Sequence, residues 1–228
     1  MSLGGWEFSA LSPQVDESVH NSELPEDYVL RLARSKARAV LDILEAPPSP
    51  DLLIVAADTT VVDSPLIDDL DEEIASAGMS VATLKRTEIL GKPADAAEAE
   101  AMLRRLRGRI HQVYTAIAVL HPADDDLREQ VVISDVQMRD YSDAEMRRYI
   151  SSGDPLDKAG AYAIQSSVFM PVERLSGCYA NVMGLPVCHL ARLLADFGEG
   201  LDSNLAQACM GMLDYPCPIF RQALGLVE

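Results

Sequence analysis

The sequence predicts an α/β protein with a central mixed β-sheet flanked by helices. Residues 52–62 form a nearly continuous apolar run rich in β-branched side chains, long enough for a strand buried on both faces. Residues 110–120 and 130–139 read as two further strands around a turn at 122–126, together a long hairpin. Amphipathic segments opened by Pro25, Pro93 and Pro186 alternate with these strands, the order expected of an α/β chain.

The first helix is expected over 25–45. Pro25 suits its first position, Glu26 and Asp27 suit the positive end of its dipole, and Pro47 and Pro48 stop it. At 100° per residue Val29, Leu32, Ala33, Ala37, Val40, Leu41 and Leu44 form one apolar stripe, which Lys36 interrupts. An acidic stretch at 64–87, with a weak helical pattern at 74–78, reads as a surface insertion. A second helix follows Pro93, with Asp95 near its start and Gly108 as a left-handed stop. Ser142 and Glu145 make a capping box that launches a short helix to about residue 150. Residues 154–165, small and polar, form a shaped loop leading to a strand near 168–175. Helices are expected at 186–197 and 201–212, the latter inside a C-terminal extension spanning 199–228.

The 228 residues suffice for a sizeable core, and apolar residues at 48% with charged residues at 24% are ordinary for a globular chain. A formal net charge of −17 repels nucleic-acid backbones and anionic membranes, which argues against a polynucleotide partner or a membrane. A small anionic substrate stays compatible where cations gather locally and a divalent metal neutralises the rest. No basic leader or apolar run of about 20 residues is present, so the expectation is a cytoplasmic protein. Cys178, Cys188, Cys209 and Cys217 lack CxxC pairing and read as reduced thiols rather than metal ligands.

Several charges sit where physical chemistry disfavours them. Lys36, inside an apolar stripe, either meets an anion or snorkels its head to water. Asp58, in the middle of the 52–62 run, needs a cation, donors or a metal, or else caps backbone amides at a strand bend. Lys92 precedes a helix N-terminus, which an anion between them would make favourable; the alternative is an exposed turn lysine. Asp16 and Glu17 offer hard oxygen ligands to a divalent cation, or are simply solvated. Asp157, Lys158 and Gln165 flank small residues that let a flat group approach the backbone. The Gln165 carboxamide can donate and accept toward the imide edge of thymine or uracil, or it stabilises a turn. The histidines share no metal-ligand spacing.

In order along the chain, VDE at 15–17, PEDYVLRLARSKARAV at 25–40, ADT at 57–59, ILGKP at 89–93, GRIHQVYT at 108–115, PLDKAGAYAIQ at 155–165 and GCYANVMGLP at 177–186 resemble the Maf family of nucleotide pyrophosphatases. The resemblance implies an α/β fold with two lobes around a cleft, spanning residues 1–198. It also implies hydrolysis of a nucleoside triphosphate to monophosphate and pyrophosphate with Mg²⁺ or Mn²⁺. It assigns Asp58 as proton acceptor and Glu17 as the acid supporting water or metal, these two being the metal ligands. Lys36 and Lys92 match phosphate-binding positions, Thr59 and Gln165 match specificity positions, and Asp157 and Lys158 join the substrate-binding set. The Asp58-Thr59 pair and the YAIQ string at 162–165 resemble the dTTP and UTP subgroup.

The family opens with a strand and a Ser-x-Ser-Pro-Arg-Arg-like loop, whereas residues 3–17 resemble the segment after them. Ser12-Pro13 is followed by Gln14 and is no substitute. The expectation is therefore a sheet without the family's first strand and an enzyme with impaired turnover; the rival is a non-catalytic nucleotide-binding or regulatory module. The sheet edge so left open is a candidate surface for a homodimer. Ser166, where the family usually has glycine, is a further departure.

Overall fold

The computed structural model describes residues 4–44, 48–63, 87–200 and 202–226. Apart from Thr87, the expected insertion at 64–87 lies outside them, as does the helical pattern expected at 74–78.

Five strands form one sheet: β1 (Ile54–Asp63), β2 (Glu88–Leu90), β3 (Ile110–His121), β4 (Asp126–Met138) and β5 (Val172–Ser176), in the order β2-β1-β3-β4-β5. Val61 pairs with Leu90 and Asp63 with Glu88, so β1 and β2 run antiparallel. The Thr59–Thr115 hydroxyl bond and the Pro50 O–His121 bond set opposite directions for β1 and β3. Backbone bonds from Met138 to Arg109 O and from Gly108 to Arg139 O do the same for β3 and β4, joined by the tight turn the sequence predicts. Arg139 N to Pro171 O and Cys178 N to Ser134 Oγ extend the pattern to β5. The α/β class is as expected. The parallel pairs that a mixed sheet implies are not among the described neighbours, because each neighbouring pair here is antiparallel.

The helices are α1 (Pro25–Leu41), α2 (Ala96–Leu106), α3 (Asp143–Ser151), α4 (Tyr179–Val182), α5 (Val187–Ala195), α6 (Leu205–Leu213) and α7 (Phe220–Ala223). Pro25 opens α1 with Glu26 and Asp27 in its first turn, as read from the sequence. It closes four residues earlier than the expected 45. Leu41 and Ile43 face solvent, so no apolar burial holds another turn, and the Ile43 amide folds back on Val40 O. Asp95 caps α2 through the Glu98 amide, and Gly108 has φ +68° behind it. The Ser142–Glu145 capping box is complete at α3. β5 begins at Val172 rather than 168: Met170 turns the chain at φ +44°, and Pro171 has no N–H for a ladder. None of the described helices is long and apolar enough to cross a membrane.

The chain divides into two compact units, in keeping with the two lobes expected. Unit 1 comprises Met1–Thr59, Tyr114–Ser134 and Ser176–Glu228; unit 2 comprises Thr60–Val113 and Asp135–Leu175. In unit 1, Ile117 and Val119 of β3 pack with Leu190, Leu193 and Leu194 of α5. Beside them Val132, Cys178, Ala180, Val187, Ala191, Leu205 and Cys209 form a second cluster, so α6, within the expected extension, packs as part of this unit. Partly buried Trp6 touches both. Gly177, at φ +128°, lies where an added Cβ would come within 2.6 Å of Ser134 Oγ, so β4 and the 177–182 segment meet at a contact only glycine permits.

Unit 2 packs α2 and α3 around aromatics. Phe169 stacks on Tyr149 at 4.3 Å and tilts on Tyr141 at 4.8 Å, and the buried Tyr141 hydroxyl donates to Leu103 O at 2.6 Å. The 154–161 loop is two short 3₁₀ turns, Asp154–Asp157 and Ala159–Ala161, with Gly160 at φ +67°. A Cβ on Gly160 would meet Val61 at 2.7 to 3.0 Å, and the Gly160 amide donates to Gly91 O at 3.0 Å. This close approach, which glycine alone allows, carries the Asp157-Lys158 segment to the Gly91-Lys92 turn.

Candidate active site

In unit 1 the structure gathers three of the expected residues into one ionic cluster. Lys36 Nζ lies 2.6 Å from Asp58 Oδ1 and 2.8 Å from Glu17 Oε1. Asp58, on β1, is 8% exposed, and Lys36 reaches it from α1, where the fully buried Ala33 and Ala37 flank the lysine in sequence. Of the two readings left open for Lys36, the anion partner is the one found. Burial works against the Lys36 ammonium, but the hydrogen bonds to Asp58 and then Glu17 outweigh it and raise its pKa, so the lysine is charged at neutral pH.

Glu17 is placed by α1 itself. Tyr28 donates its hydroxyl to Glu17 O at 3.0 Å, and Arg31 donates to Ser18 O at 2.9 Å and to Asp16 O at 3.4 Å. Arg31 is in turn fixed by Glu23 at 2.6 Å, which holds the Glu23 carboxyl down near pH 2. Asp16 accepts the Ser18 amide at 2.9 Å, so its carboxylate closes a local turn and is not part of the Lys36 cluster. Two carboxylates facing one ammonium leave a net negative charge. The donor set is hard oxygen, which fits a divalent cation of the magnesium type, since such ions use one or two carboxylates and take their remaining ligands from water and phosphate. Among the described residues no group of three or more His, Cys, Asp or Glu could hold a metal by itself.

Thr59, next along β1, belongs to a hydroxyl relay. Its Oγ1 lies 2.8 Å from Thr115 Oγ1, and Thr115 donates to Asn181 O at 2.9 Å. A hydroxyl has one proton. Thr115 spends its own on the carbonyl, so Thr59 is the donor between the threonines and its lone pairs remain acceptors. Ser134 Oγ braces the far end, accepting from Cys178 N at 3.0 Å and from Asn181 Nδ2 at 2.9 Å. Sequence reasoning did not single out Thr115, Asn181, Ser134, Tyr28 or Arg31. The three polar residues are uncharged and sit in otherwise apolar or small-residue stretches, where no charge conflict marks them.

Unit 2 brings together a second set. Lys158 Nζ donates to Asp157 Oδ1 at 2.6 Å and to Asp154 O at 2.8 Å. Burial opposes the Lys158 charge, yet the Asp157 and Asp154 partners raise its pKa. The Asp157 pKa is lowered, first by Lys158 and in smaller part by Lys92. Lys92 is exposed on the turn between β2 and α2, and Gln165 is exposed on the turn following Tyr162 and Ala163. Nearby, Asp63, 2% exposed, is paired with Arg105 and lies 3.2 Å from Arg109, a buried ion pair the sequence reading did not anticipate.

Comparison with known proteins places this sequence in a family. The family model described as "Maf-like protein" matches residues 1–197. The dTTP/UTP pyrophosphatase of Hahella chejuensis is 41% identical over 194 residues, covering 85% of this chain and 84% of that protein. The protein of the same name from Geotalea uraniireducens is 37% identical over 198 residues (87% and 88%), and that from Chromobacterium violaceum 40% over 194 (85% and 86%). With an ion-paired Asp58 and Lys36 at the positions that carried the resemblance, and with a match running through residue 197, the chain belongs to the Maf-like protein family.

Proposed function

We propose that this protein hydrolyses dTTP and UTP to the nucleoside monophosphate and pyrophosphate. The observation that carries the reading is the Glu17–Lys36–Asp58 cluster: a buried carboxylate ion-paired with an ammonium, and a second carboxylate joined through the same lysine. The names of the relatives agree with it.

In this reading Asp58 accepts a proton from water as the water oxygen forms a bond to the α-phosphorus. The bond from that phosphorus to the bridging oxygen breaks, and pyrophosphate leaves. Lys36 pairs with Asp58 and positions it, and Glu17 orients the lysine from the other side. Glu17 and Asp58 would hold a divalent cation, which when bound supplies charge neutralisation and Lewis acidity for the triphosphate. Thr59 presents acceptor lone pairs suited to the imide N–H shared by thymine and uracil. A cytosine ring has an acceptor at that position and would face it lone pair to lone pair. Lys92, Asp157, Lys158 and Gln165 are proposed substrate-binding residues by their family positions.

The test is incubation of the purified protein with Mg²⁺ or Mn²⁺ and each of dTTP, UTP, CTP and GTP in ¹⁸O-water. Pyrophosphate release from dTTP and UTP with the label in the monophosphate is expected, and Asp58→Asn should reduce the rate by roughly 10² to 10⁴-fold. Release from none of the four nucleotides would overturn the assignment, and calorimetric binding without release would favour the non-catalytic module.

A further inference from the structure

The four cysteines of this chain follow one another at intervals of 10, 21 and 8 residues, and Cys178, Cys188, Cys209 and Cys217 line one apolar cavity in unit 1. Cys178 and Cys188 come from the 177–195 region, and Cys209 and Cys217 from α6 and the segment after it. One pair is also joined through its neighbours: Tyr215, two residues before Cys217, donates to the carbonyl of Gly177, one residue before Cys178, at 3.3 Å.

We propose that Cys178 and Cys217 are a dithiol site, which a low-molecular-weight disulfide of the glutathione type oxidises to an intramolecular disulfide that fastens the C-terminal segment to the 177–182 segment.

Three observations distinguish this pair from the other thiols. Access differs: Cys178, Cys188 and Cys209 are buried, whereas Cys217 is partly exposed. Nucleophilicity differs as well. The neighbouring Cys178 thiol outweighs burial and, with the Ile219 and Phe220 amides, lowers the Cys217 pKa, which favours its thiolate. Burial pushes Cys188 up to about 11 and also raises Cys209. Finally, the backbone on both sides is held in place. Ser134 Oγ accepts the Cys178 amide at 3.0 Å and donates to Cys178 O at 3.2 Å. Tyr215, two residues before Cys217, donates to Gly177 O at 3.3 Å and packs its ring 5.6 Å from that of Tyr179.

The chemistry balances as two exchanges. The Cys217 thiolate attacks one sulfur of the small disulfide, forming a mixed disulfide and releasing one small thiolate. Cys178 then loses its proton to that thiolate and attacks the Cys217 sulfur, expelling the second. Two protein thiols and one small disulfide become one protein disulfide and two small thiols.

The experiment exposes the full chain to oxidised glutathione under native conditions, counts thiols and maps non-reduced peptides by mass spectrometry. Expected are the loss of two of the four titratable thiols, an intact mass lower by about 2 Da, and a peptide linking Cys178 to Cys217. Cys217→Ser should abolish the link and Cys209→Ser should retain it. Four thiols still titratable, a link that uses Cys188 or Cys209 instead, or a lasting glutathione adduct on Cys217 without a link would each overturn the proposal. The wild-type map decides even where a variant fails to fold.

Discussion

Lys36 sets the charge of its surroundings. Held between Asp58 and Glu17, it remains an ammonium, and Asp58 sits in an apolar strand without the full penalty of an isolated buried charge. Thr59 is controlled by a different currency, proton count: because Thr115 gives its hydrogen to Asn181 O, Thr59 can only donate to Thr115 and accept elsewhere. Thr59→Val, equal in shape but without the acceptor, should lower kcat/KM for dTTP and UTP by about tenfold or more, since one unmatched polar group costs roughly 1–3 kcal/mol. Thr115→Val keeps the Thr59 hydroxyl but frees it to rotate, so its loss should be smaller. Steady-state kinetics on both variants with dTTP, UTP and CTP checks the order; a Thr59→Val enzyme with unchanged kcat/KM would remove Thr59 from base recognition. Lys36 and Asp58 were legible in the sequence because each breaks an apolar pattern. Glu17 stood out only as one of two adjacent acids until the family resemblance chose it over Asp16, and Thr115 gave no signal because a threonine in a strand violates nothing.

Among the elements, those with a period or a cap could be read and the short ones could not. Pro25 with its two acids, Asp95, and the Ser142–Glu145 box all mark helix starts that the structure contains. β2 has three residues and α4 and α7 four each, too few to display a periodicity of 2 or 3.6. The misplaced start of β5 has the same origin, since Val168 to Met170 look like strand but the left-handed Met170 belongs to a turn. The loop with its 3₁₀ turns was recognised as shaped, though not that Gly160 shapes it. Gly160→Ala must adopt φ +67° and drive its methyl into Val61, combining backbone strain with overpacking. The expected cost is about 2–4 kcal/mol, measured by urea denaturation. A change below about 0.5 kcal/mol, the range of an ordinary surface substitution, would mean that the contact relaxes freely.

Across the whole molecule, two buried histidines dictate how stability responds to mild acid. Burial lowers His111, in unit 2, and His189, in unit 1, to about 4. The unfolded chain binds these protons below about 6.5 while the folded chain resists until about 4, so their contribution is complete above the first value and is lost as pH falls toward the second. Between pH 7 and 5 each should cost about 2 kcal/mol. Glu23, Asp143 and Glu145, held near 2 by their partners, act only at lower pH. His189→Leu should therefore roughly halve the loss of stability from pH 7 to 5, read as the shift in denaturation midpoint; an undiminished loss would mean that His189 is already protonated in the native protein. The placement of Trp6 has a practical corollary. It is the chain's one tryptophan, and it packs against both apolar clusters of unit 1. Emission excited selectively from indole is therefore a gauge of unit 1 alone, and a melt followed by fluorescence will part company with one followed by circular dichroism whenever unit 2 comes undone at a different temperature.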